Sequence, residues 1–261
     1  MVTSASEKTN LLKELCGILK KTKELVKRMK RCYYVISDIH GCFEKFKTLL
    51  KSWDRDNEIL VILGDMVDRG PDSKGVIQEI MYLQKQYEVI VVGGNHEDLF
   101  LDWVNNQTET SFYYRIGGNK TIDSFFDEPV TQYYTAESIA KRLQKEYKEE
   151  IEFLRTLPSY YETEQYIFVH AGVNLQYADW KYSSENEFKN SGKRFLRERN
   201  ETGKIIVFGH TKTRDIHPDG KDNVWISPCE TKIGIDGGCV SGGKLHGVRL
   251  TSEGISEIIS V

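Results

Sequence analysis

The chain has 261 residues, of which 39% are hydrophobic and 29% are charged, and its formal net charge is −3 at pH 7. A chain of this length can bury a sizeable core. Its apolar runs are much shorter than the roughly 20 residues that span a bilayer, so we expect no transmembrane segment. The negative net charge argues against nucleic-acid binding, which usually needs a basic face with aromatic residues between the charges.

The amino-terminal segment differs in charge from the rest of the chain. Residues 1–31 contain nine Lys and Arg against three Glu, a net charge of +6, which leaves −9 on the remainder. Apolar residues recur there at helical spacing and predict an amphipathic helix over residues 8–30, before a catalytic domain at 32–261. We favour a helix packed outside the catalytic domain, and contact with a partner or a membrane surface is the alternative. An organellar presequence is a third, weaker interpretation.

From residue 33 the pattern alternates between strands and helices. Short β-branched runs at 33–37, 59–63 and 89–93 predict strands, and residues 41–52 and 73–86 between them predict helices. This β-α-β-α-β order is typical of parallel strands with right-handed crossovers. Ligands of such sheets collect beyond the carboxyl ends of the strands, where each of these runs is followed by acidic, amide or histidine residues.

The second half of the chain predicts a helical cap and further strands. Residues 97–157 show mostly helical periodicity and are interpreted as a cap beside the site. Strands then resume at 166–169, 205–208, 232–236, 244–250 and 255–260, which suggests a second, mixed sheet. The expected fold class is therefore α/β.

The polar residues after these strands are typical ligands of two metal ions. Asp38 and His40 lie two residues apart after the first strand and can hold one cation through a carboxylate oxygen and an imidazole nitrogen. Asp65 can bridge to a second cation, as carboxylates do in dinuclear hydrolases. Mixed nitrogen and oxygen ligands favour Mn²⁺, Fe or Zn²⁺ over Ca²⁺ and Mg²⁺. The second cation's remaining candidate ligands are Asn95, His170 and His210.

Three further residues fit the chemistry of phosphate ester cleavage. His96, next to Asn95, can protonate a departing oxygen, and the carboxylate of Asp68 can hold the charged imidazole. The planar guanidinium of Arg69 matches two phosphate oxygens. Each cluster alone is more often a turn, an ion pair or a helix cap, but their joint occurrence after successive strands favours the catalytic interpretation.

The motifs and their order resemble the phosphoprotein phosphatase family of calcineurin-like metallophosphoesterases. They read Asp-x-His-Gly, Gly-Asp-x-Val-Asp-Arg-Gly, Gly-Asn-His-Glu, His-Ala-Gly and Gly-His-Thr across residues 33–250. The sequence is most similar to the compact bacterial and bacteriophage lambda-type serine/threonine protein phosphatases. The resemblance implies a four-layer α/β/β/α sandwich with a dinuclear, usually manganese-activated centre, and the roles already given for the ligands, His96, Asp68 and Arg69.

Two positions depart from the family pattern. The family commonly has arginine before Gly-Asn-His-Glu, where this chain has Gly93, so one expected phosphate-binding arginine is missing. A later arginine of the family has no unambiguous counterpart. We assign it to Arg197 as a substrate-binding residue, with Arg194 and Arg199 as rivals.

These features predict a metal-dependent phosphoesterase. The leading hypothesis is a serine/threonine, or dual-specificity, protein phosphatase in which a hydroxide bridging two metal ions attacks the phosphorus directly. The alternative within enzymes is a symmetrical diadenosine tetraphosphate hydrolase, because those enzymes resemble the same family. A catalytically inactive binding module is a third hypothesis, and the complete ligand set argues against it. Five cysteines without Cys-x-x-Cys spacing predict a reducing, cytoplasmic location rather than a disulfide framework.

Overall fold

Residues 31–107 and 109–261 are described by the computed structural model of the chain. The helix predicted over residues 8–30 lies outside these residues. Within them the fold has two five-stranded sheets. The strands are β1 Cys32–Ile36, β2 Glu58–Leu63, β3 Val89–Val92, β4 Tyr160–Glu162, β5 Tyr166–Val169, β6 Ile205–Phe208, β7 Trp225–Ile226, β8 Lys232–Gly234, β9 His246–Thr251 and β10 Gly254–Ser260.

The first sheet has the strand order β10-β9-β1-β2-β3 and the second has the order β4-β5-β6-β8-β7. Strands β1, β2 and β3 are parallel, as the alternation of strands and helices predicts. Strands β5, β6 and β8 are likewise parallel, while β4 and β7 pair antiparallel at the two edges. Both sheets are therefore mixed, and each contains three adjacent parallel strands.

One part of the predicted strand arrangement is wrong. Residues 244–250 and 255–260 were expected in the second sheet, but β9 pairs antiparallel with β1 of the first sheet and β10 pairs with β9. After β8 the chain crosses back, so that Val248 and Leu250 pack in the layer between the sheets. Periodicity identifies such a strand, but it does not identify the partner.

The side chains of β1 define the layers, because alternate residues face opposite sides of a strand. Tyr33 and Val35 pack between the sheets with Phe168 and Val207 of the second sheet. Tyr34 and Ile36 belong to the core formed with the helices on the other side. A third apolar cluster joins the outer face of the second sheet to its own helices. The result is the α/β/β/α sandwich.

The described helices cover both outer faces. Helix α1 connects β1 to β2, α2 connects β2 to β3, six helices lie between β3 and β4, and two follow β5. Asp72 begins α2 by accepting the backbone N–H of Gly75 at 2.7 Å, a typical N-cap. The helices are α1 Phe43–Leu50, α2 Ser73–Gln84, α3 Asn95–Asn106, α4 Thr110–Arg115, α5 Gly118–Phe126, α6 Val130–Tyr133, α7 Ala136–Glu146, α8 Lys148–Arg155, α9 Glu185–Asn190 and α10 Lys193–Arg197.

None of the helices among the described residues has both the length and the apolar character needed to cross a bilayer.

Candidate functional site

The candidate site lies where the three parallel strands of each sheet end. A polar residue follows the carboxyl end of each of these six strands, which is the end where parallel sheets bind ligands. The backbone N–H of His210, after β6, donates to the carboxylate of Asp38, after β1, so the two sheets meet here. The six residues are Asp38, Asp65 and Asn95 in the first sheet and His170, His210 and Asp236 in the second.

Asp65 lies between two groups of histidines. Its Oδ2 is 3.5 Å from Nε2 of His40 and 4.0 Å from Nε2 of His96. Its Oδ1 is 3.3 Å from Nε2 of His170 on the other side. The two oxygens of one buried carboxylate thus face two potential ligand groups, which is the arrangement of a carboxylate that bridges two cations.

The second group converges on Asn95. Its side-chain oxygen is 3.1 Å from Nε2 of His170 and 3.1 Å from Nδ1 of His210. Together with Asp65, these histidines form a set whose ligand atoms all lie within 4.8 Å of one another, and His40, Asp65 and His96 form a second such set. The amide oxygen, the carboxylate oxygen and two imidazole nitrogens suit one divalent cation.

Backbone contacts orient two of these histidines. Nδ1 of His40 lies 2.7 Å from the carbonyl oxygen of Val67, and Nδ1 of His170 lies 2.7 Å from that of Leu63. Each Nδ1–H therefore donates to a carbonyl and leaves Nε2 with its lone pair toward Asp65. Metal-binding histidines are typically held in this way.

The electrostatics of the site also fit bound cations. Burial lowers the pKa of His40 to about 3, and burial followed by the neighbouring His170 lowers that of His210 to about 4, so both imidazoles are neutral ligands at pH 7. Burial, together with the charges of Asp236 and Asp65, raises the pKa of Asp38 well above its usual range. Two divalent cations would neutralise these crowded carboxylates, and the donor set therefore fits them.

Two buried carboxylates, Asp38 and Asp236, lie outside the two histidine sets. Asp38 lies outside both histidine sets, because its carboxylate accepts hydrogen bonds from the Ser37 hydroxyl and from the N–H of His210. Its assignment to the first cation remains a prediction. The sequence did not predict Asp236 as a site residue. In the structure it is 5% exposed, and burial raises its pKa to about 6. Its position after a parallel strand was the available signal.

His96 is held by a network that reaches into the helical cap. Its Nδ1 lies 2.7 Å from Oδ2 of Asp68, as the sequence predicts for a proton donor and its carboxylate. The other oxygen of Asp68 accepts the hydroxyls of Tyr113 and Thr121, each at 2.8 Å. Neither residue was predicted, since nothing in the local sequence of the cap connects it with Asp68.

Arg69 spans the first group of histidines. Its two terminal nitrogens lie 2.7 Å from Nε2 of His40 and 2.6 Å from Nε2 of His96. The backbone oxygen of Arg69 accepts Nζ of Lys120 at 2.9 Å. The guanidinium is thus directed toward the reacting centre, where a planar fork can bind phosphate oxygens.

Glu97, in the first turn of α3, holds backbone groups of the site with its side chain. Its carboxylate accepts the backbone N–H groups of Gly94 at 2.8 Å, Asp65 at 2.9 Å and Met66 at 2.7 Å. The side chain is buried, and burial raises its pKa to about 7. Glu97 therefore ties α3 to the turn that carries Asp65.

The turns that carry the site are conformationally unusual. Six of its non-glycine residues have positive φ angles, which are uncommon for such residues and cluster at functional sites. Gly94 permits a related close approach, because a Cβ there would lie 2.3 Å from Oδ1 of Asp65. The positive angles occur at Asp38, His40, Asp65, Asp68, Arg69 and His210, with φ between 45° and 69°.

Arg197 is the remaining residue that the sequence predicts for the site. Arg197 ends α10 with an exposed side chain, and among residues 31–107 and 109–261 it forms no hydrogen bond or ion pair. Its role in substrate binding remains a prediction. His217 and His246, which the sequence analysis did not assign to the site, contact the backbone oxygens of Asn223 and Asp222.

Comparison with known proteins supports the same chemistry. The sequence model of the family described as calcineurin-like phosphoesterase matches residues 33–242. A relative from Anoxybacillus flavithermus, named as the asymmetrical bis(5'-nucleosyl)-tetraphosphatase PrpE, is 26% identical over 244 residues, which cover 83% of this chain and 89% of that protein. A symmetrical bis(5'-nucleosyl)-tetraphosphatase from Buchnera aphidicola is 47% identical, but over 66 residues that cover 24% of this chain and 23% of that protein.

A solved structure shares the fold. It is provisionally identified as a diadenosine tetraphosphatase, has a TM-score of 0.60 and 23% sequence identity, and the match covers 88% of this chain and 92% of that one. At this identity the likeness establishes the fold alone, and it agrees with the α/β/β/α layers described above.

Proposed function

The chain belongs to the calcineurin-like phosphoesterase family, and from that premise we propose that it hydrolyses bis(5'-nucleosyl)-tetraphosphates. The observation that carries the proposal is the similarity along nearly the whole chain to a relative named for this activity. The leading hypothesis from the sequence was a protein phosphatase. The relatives support its dinucleotide alternative better, and protein substrates have no comparable support.

Glu97 and Gly93 bear on the choice between protein and dinucleotide substrates. Glu97 belongs to the Gly-Asn-His-Glu motif of the phosphoprotein phosphatases, but its buried carboxylate is occupied by four backbone N–H groups. It therefore does not discriminate between substrates. Position 93 is a glycine, where the protein phosphatases commonly have an arginine, and this difference favours a substrate other than a phosphoprotein.

We further propose that cleavage is asymmetrical, in place of the symmetrical cleavage that the sequence-based alternative named. The asymmetrical relative matches most of the chain, whereas the symmetrical one matches about a quarter of it. Asymmetrical hydrolysis of diadenosine tetraphosphate gives one triphosphate and one monophosphate, and symmetrical hydrolysis gives two diphosphates. The products therefore distinguish the two forms.

The chain's own residues account for binding and proton transfer. Arg69 binds two oxygens of the phosphoryl group under attack, since its guanidinium is directed at the centre. Water attacks the phosphorus and gives up one proton to solvent, the bond to the leaving oxygen breaks, and His96 gives its Nε2 proton to that oxygen. His96 then takes a proton back from solvent. Asp68 holds Nδ1 of His96 and stabilises the protonated imidazole before transfer.

Asp65, Asn95, His170, His210 and His40 would hold the two metal ions. When bound, two divalent cations would neutralise charge on the phosphoryl group and lower the pKa of the attacking water. We propose manganese because the resemblance to the phosphoprotein phosphatases implies it, and the mix of nitrogen and oxygen donors is compatible with Mn²⁺ as it is with Fe and Zn²⁺.

The proposal is tested by product analysis. The full-length chain is incubated with Mn²⁺ and diadenosine tetraphosphate, and nucleotides are separated by anion-exchange chromatography. We expect ATP and AMP in equal amounts. Accumulation of ADP as the first product would contradict asymmetrical cleavage, and phosphate release from phosphopeptides without any dinucleotide cleavage would overturn the proposed function.

Two variants control the assay. Asp65→Asn removes the carboxylate that faces both histidine groups and is expected to abolish cleavage. Asp219→Asn removes a surface carboxylate that pairs with Lys221 and is expected to leave the rate unchanged. Equal activity of all three proteins would indicate a contaminating hydrolase.

A further inference from the structure

Lys189, on α9, is a buried cation at the margin of the site. Its side chain is 10% exposed, and Nζ donates to both carboxylate oxygens of Asp98, at 2.8 Å and 2.9 Å. Burying the long chain of a lysine is unusual unless its charge is paired. A second carboxylate oxygen, Oε2 of Glu185, lies 3.7 Å from Nζ, and both acidic partners are on the surface, since the side chains of Asp98 and Glu185 are 53% and 71% exposed.

The ammonium group lies beside the turn that leads into Asn95. A Cβ built on Gly93 would be 3.6 Å from Nζ of Lys189 and 3.6 Å from its Cε. The space beside Gly93 is therefore bordered by the end of the Lys189 side chain. Asn95, two residues after Gly93, contacts His170 and His210, so the ammonium lies on the side of the second histidine group.

The short helix that carries Lys189 is attached to the same part of the site. The backbone N–H of Ala171, which follows His170, donates to the carbonyl of Phe188 at 2.9 Å. Phe188 itself packs in the core of the outer layer with Trp180. The helix that carries Lys189 is consequently fixed to the turn of His170. A lysine on such a rigid element is better placed to bind a ligand than a mobile surface lysine is.

A tetraphosphate chain needs more positive charge than one arginine provides. Arg69 is directed at the first histidine group, whereas Lys189 lies beside Gly93 at the turn into Asn95, and its helix is hydrogen-bonded to the turn of His170. Resting on the proposed function, we propose that Lys189 binds the phosphates of the dinucleotide that are not under attack. Asp98 holds the ammonium in place before substrate arrives and, being exposed, shares it with a phosphate at little cost.

This assignment makes Lys189 a determinant of specificity for polyphosphate chains. Lys189→Met is expected to raise KM for diadenosine tetraphosphate by about tenfold, the loss of one charge-assisted hydrogen bond. Its KM for p-nitrophenyl phosphate, which has no further phosphate, is expected to change less than about twofold on the same argument. Lys189→Arg keeps the charge and should retain most of the binding.

Asp98→Asn distinguishes binding from a purely structural ion pair. Both Lys189→Met and Asp98→Asn break the pair, so a structural role predicts the same effect of both on both substrates. The binding role predicts that Asp98→Asn leaves KM for the dinucleotide unchanged or lower, because the ammonium keeps its charge and loses the nearer of its two acidic partners among the described residues, with Glu185 remaining at 3.7 Å. Matching losses in the two variants, or equal KM changes for the two substrates in Lys189→Met, would overturn the assignment.

The wild-type protein separates this inference from the proposed function. If it does not cleave diadenosine tetraphosphate but hydrolyses p-nitrophenyl phosphate, the proposed function fails before Lys189 is examined. If it cleaves the dinucleotide and Lys189→Met cleaves it with unchanged KM, the inference alone fails. Thermal unfolding of each variant is measured in parallel, and a KM change in Lys189→Met at an unchanged unfolding midpoint supports the binding role.

Discussion

His96 keeps its proton because carboxylates face its imidazole. Burial lowers its pKa, but Asp65 and the hydrogen-bonded Asp68 outweigh burial and raise the pKa above 6.5. A general acid works while protonated, so activity is lost as pH rises through this pKa. In Asp68→Asn the pKa falls, and we expect the alkaline limb of the pH–rate profile to move to lower pH and kcat at pH 7 to drop by about tenfold or more.

The measurement is the pH–rate profile for diadenosine tetraphosphate with saturating Mn²⁺. Asp219→Asn, a surface ion-pair variant, serves as control and should keep the wild-type profile. A profile of Asp68→Asn that is lower at every pH but unshifted would contradict the role of Asp68 in holding the proton.

His246 predicts a pH dependence of stability rather than of activity. It is 1% exposed between Ser260 and the carbonyl of Asp222, and burial lowers its pKa below 6.5. The unfolded chain therefore binds a proton that the folded chain excludes, so stability is lost as pH falls below about 6.5. We expect His246→Gln to reduce this loss between pH 7.5 and 5.5 by up to about 1 kcal/mol.

Urea unfolding at the two pH values measures the effect. His217→Gln, a histidine of a surface loop, is the matched control and should retain the wild-type difference. If His246→Gln shows the same difference in the free energy of unfolding as the wild type, His246 does not contribute to it.

At the scale of helices and strands, the cap contributes to catalysis through Asp68. Tyr113 on α4 and Thr121 on α5 donate to one oxygen of this carboxylate. Tyr113→Phe removes one donor from a buried charge, and we expect kcat to fall by about tenfold with little change in KM. Tyr114→Phe alters the adjacent, half-buried tyrosine of the same helix and should retain wild-type kcat. Steady-state kinetics test this, and an equal effect of both variants would contradict it.

The same elements show what sequence periodicity predicts and what it does not. The parallel order of β1, β2 and β3 follows from the alternating pattern, and with it the meeting of Asp65 and Asn95. The pairing of β9 with β1 depends on contacts across the chain that no local pattern contains. The contacts of Tyr113 and Lys189 with Asp68 and Asp98 are also non-local, so the residues were not predictable one sequence segment at a time.

At the scale of the whole molecule, metal binding should couple to stability. Asp38, Asp65 and Asp236 lie buried together, and each of the two sheets contributes ligands. Cations that bind the folded chain stabilise it by about 2.7 kcal/mol at a hundred times their dissociation constant. We expect a chelator to lower the thermal unfolding midpoint by about 5–10 °C and Mn²⁺ to restore it. A midpoint that does not respond to either would contradict a site that joins the sheets.

The central claim is that Asp65 bridges two metal ions between its two groups of histidines. Anomalous diffraction from crystals grown with Mn²⁺ tests it directly. We expect two peaks about 3.5–4 Å apart on either side of the Asp65 carboxylate, one beside His40 and the other among Asn95, His170 and His210. A single peak, or peaks away from Asp65, would contradict the account.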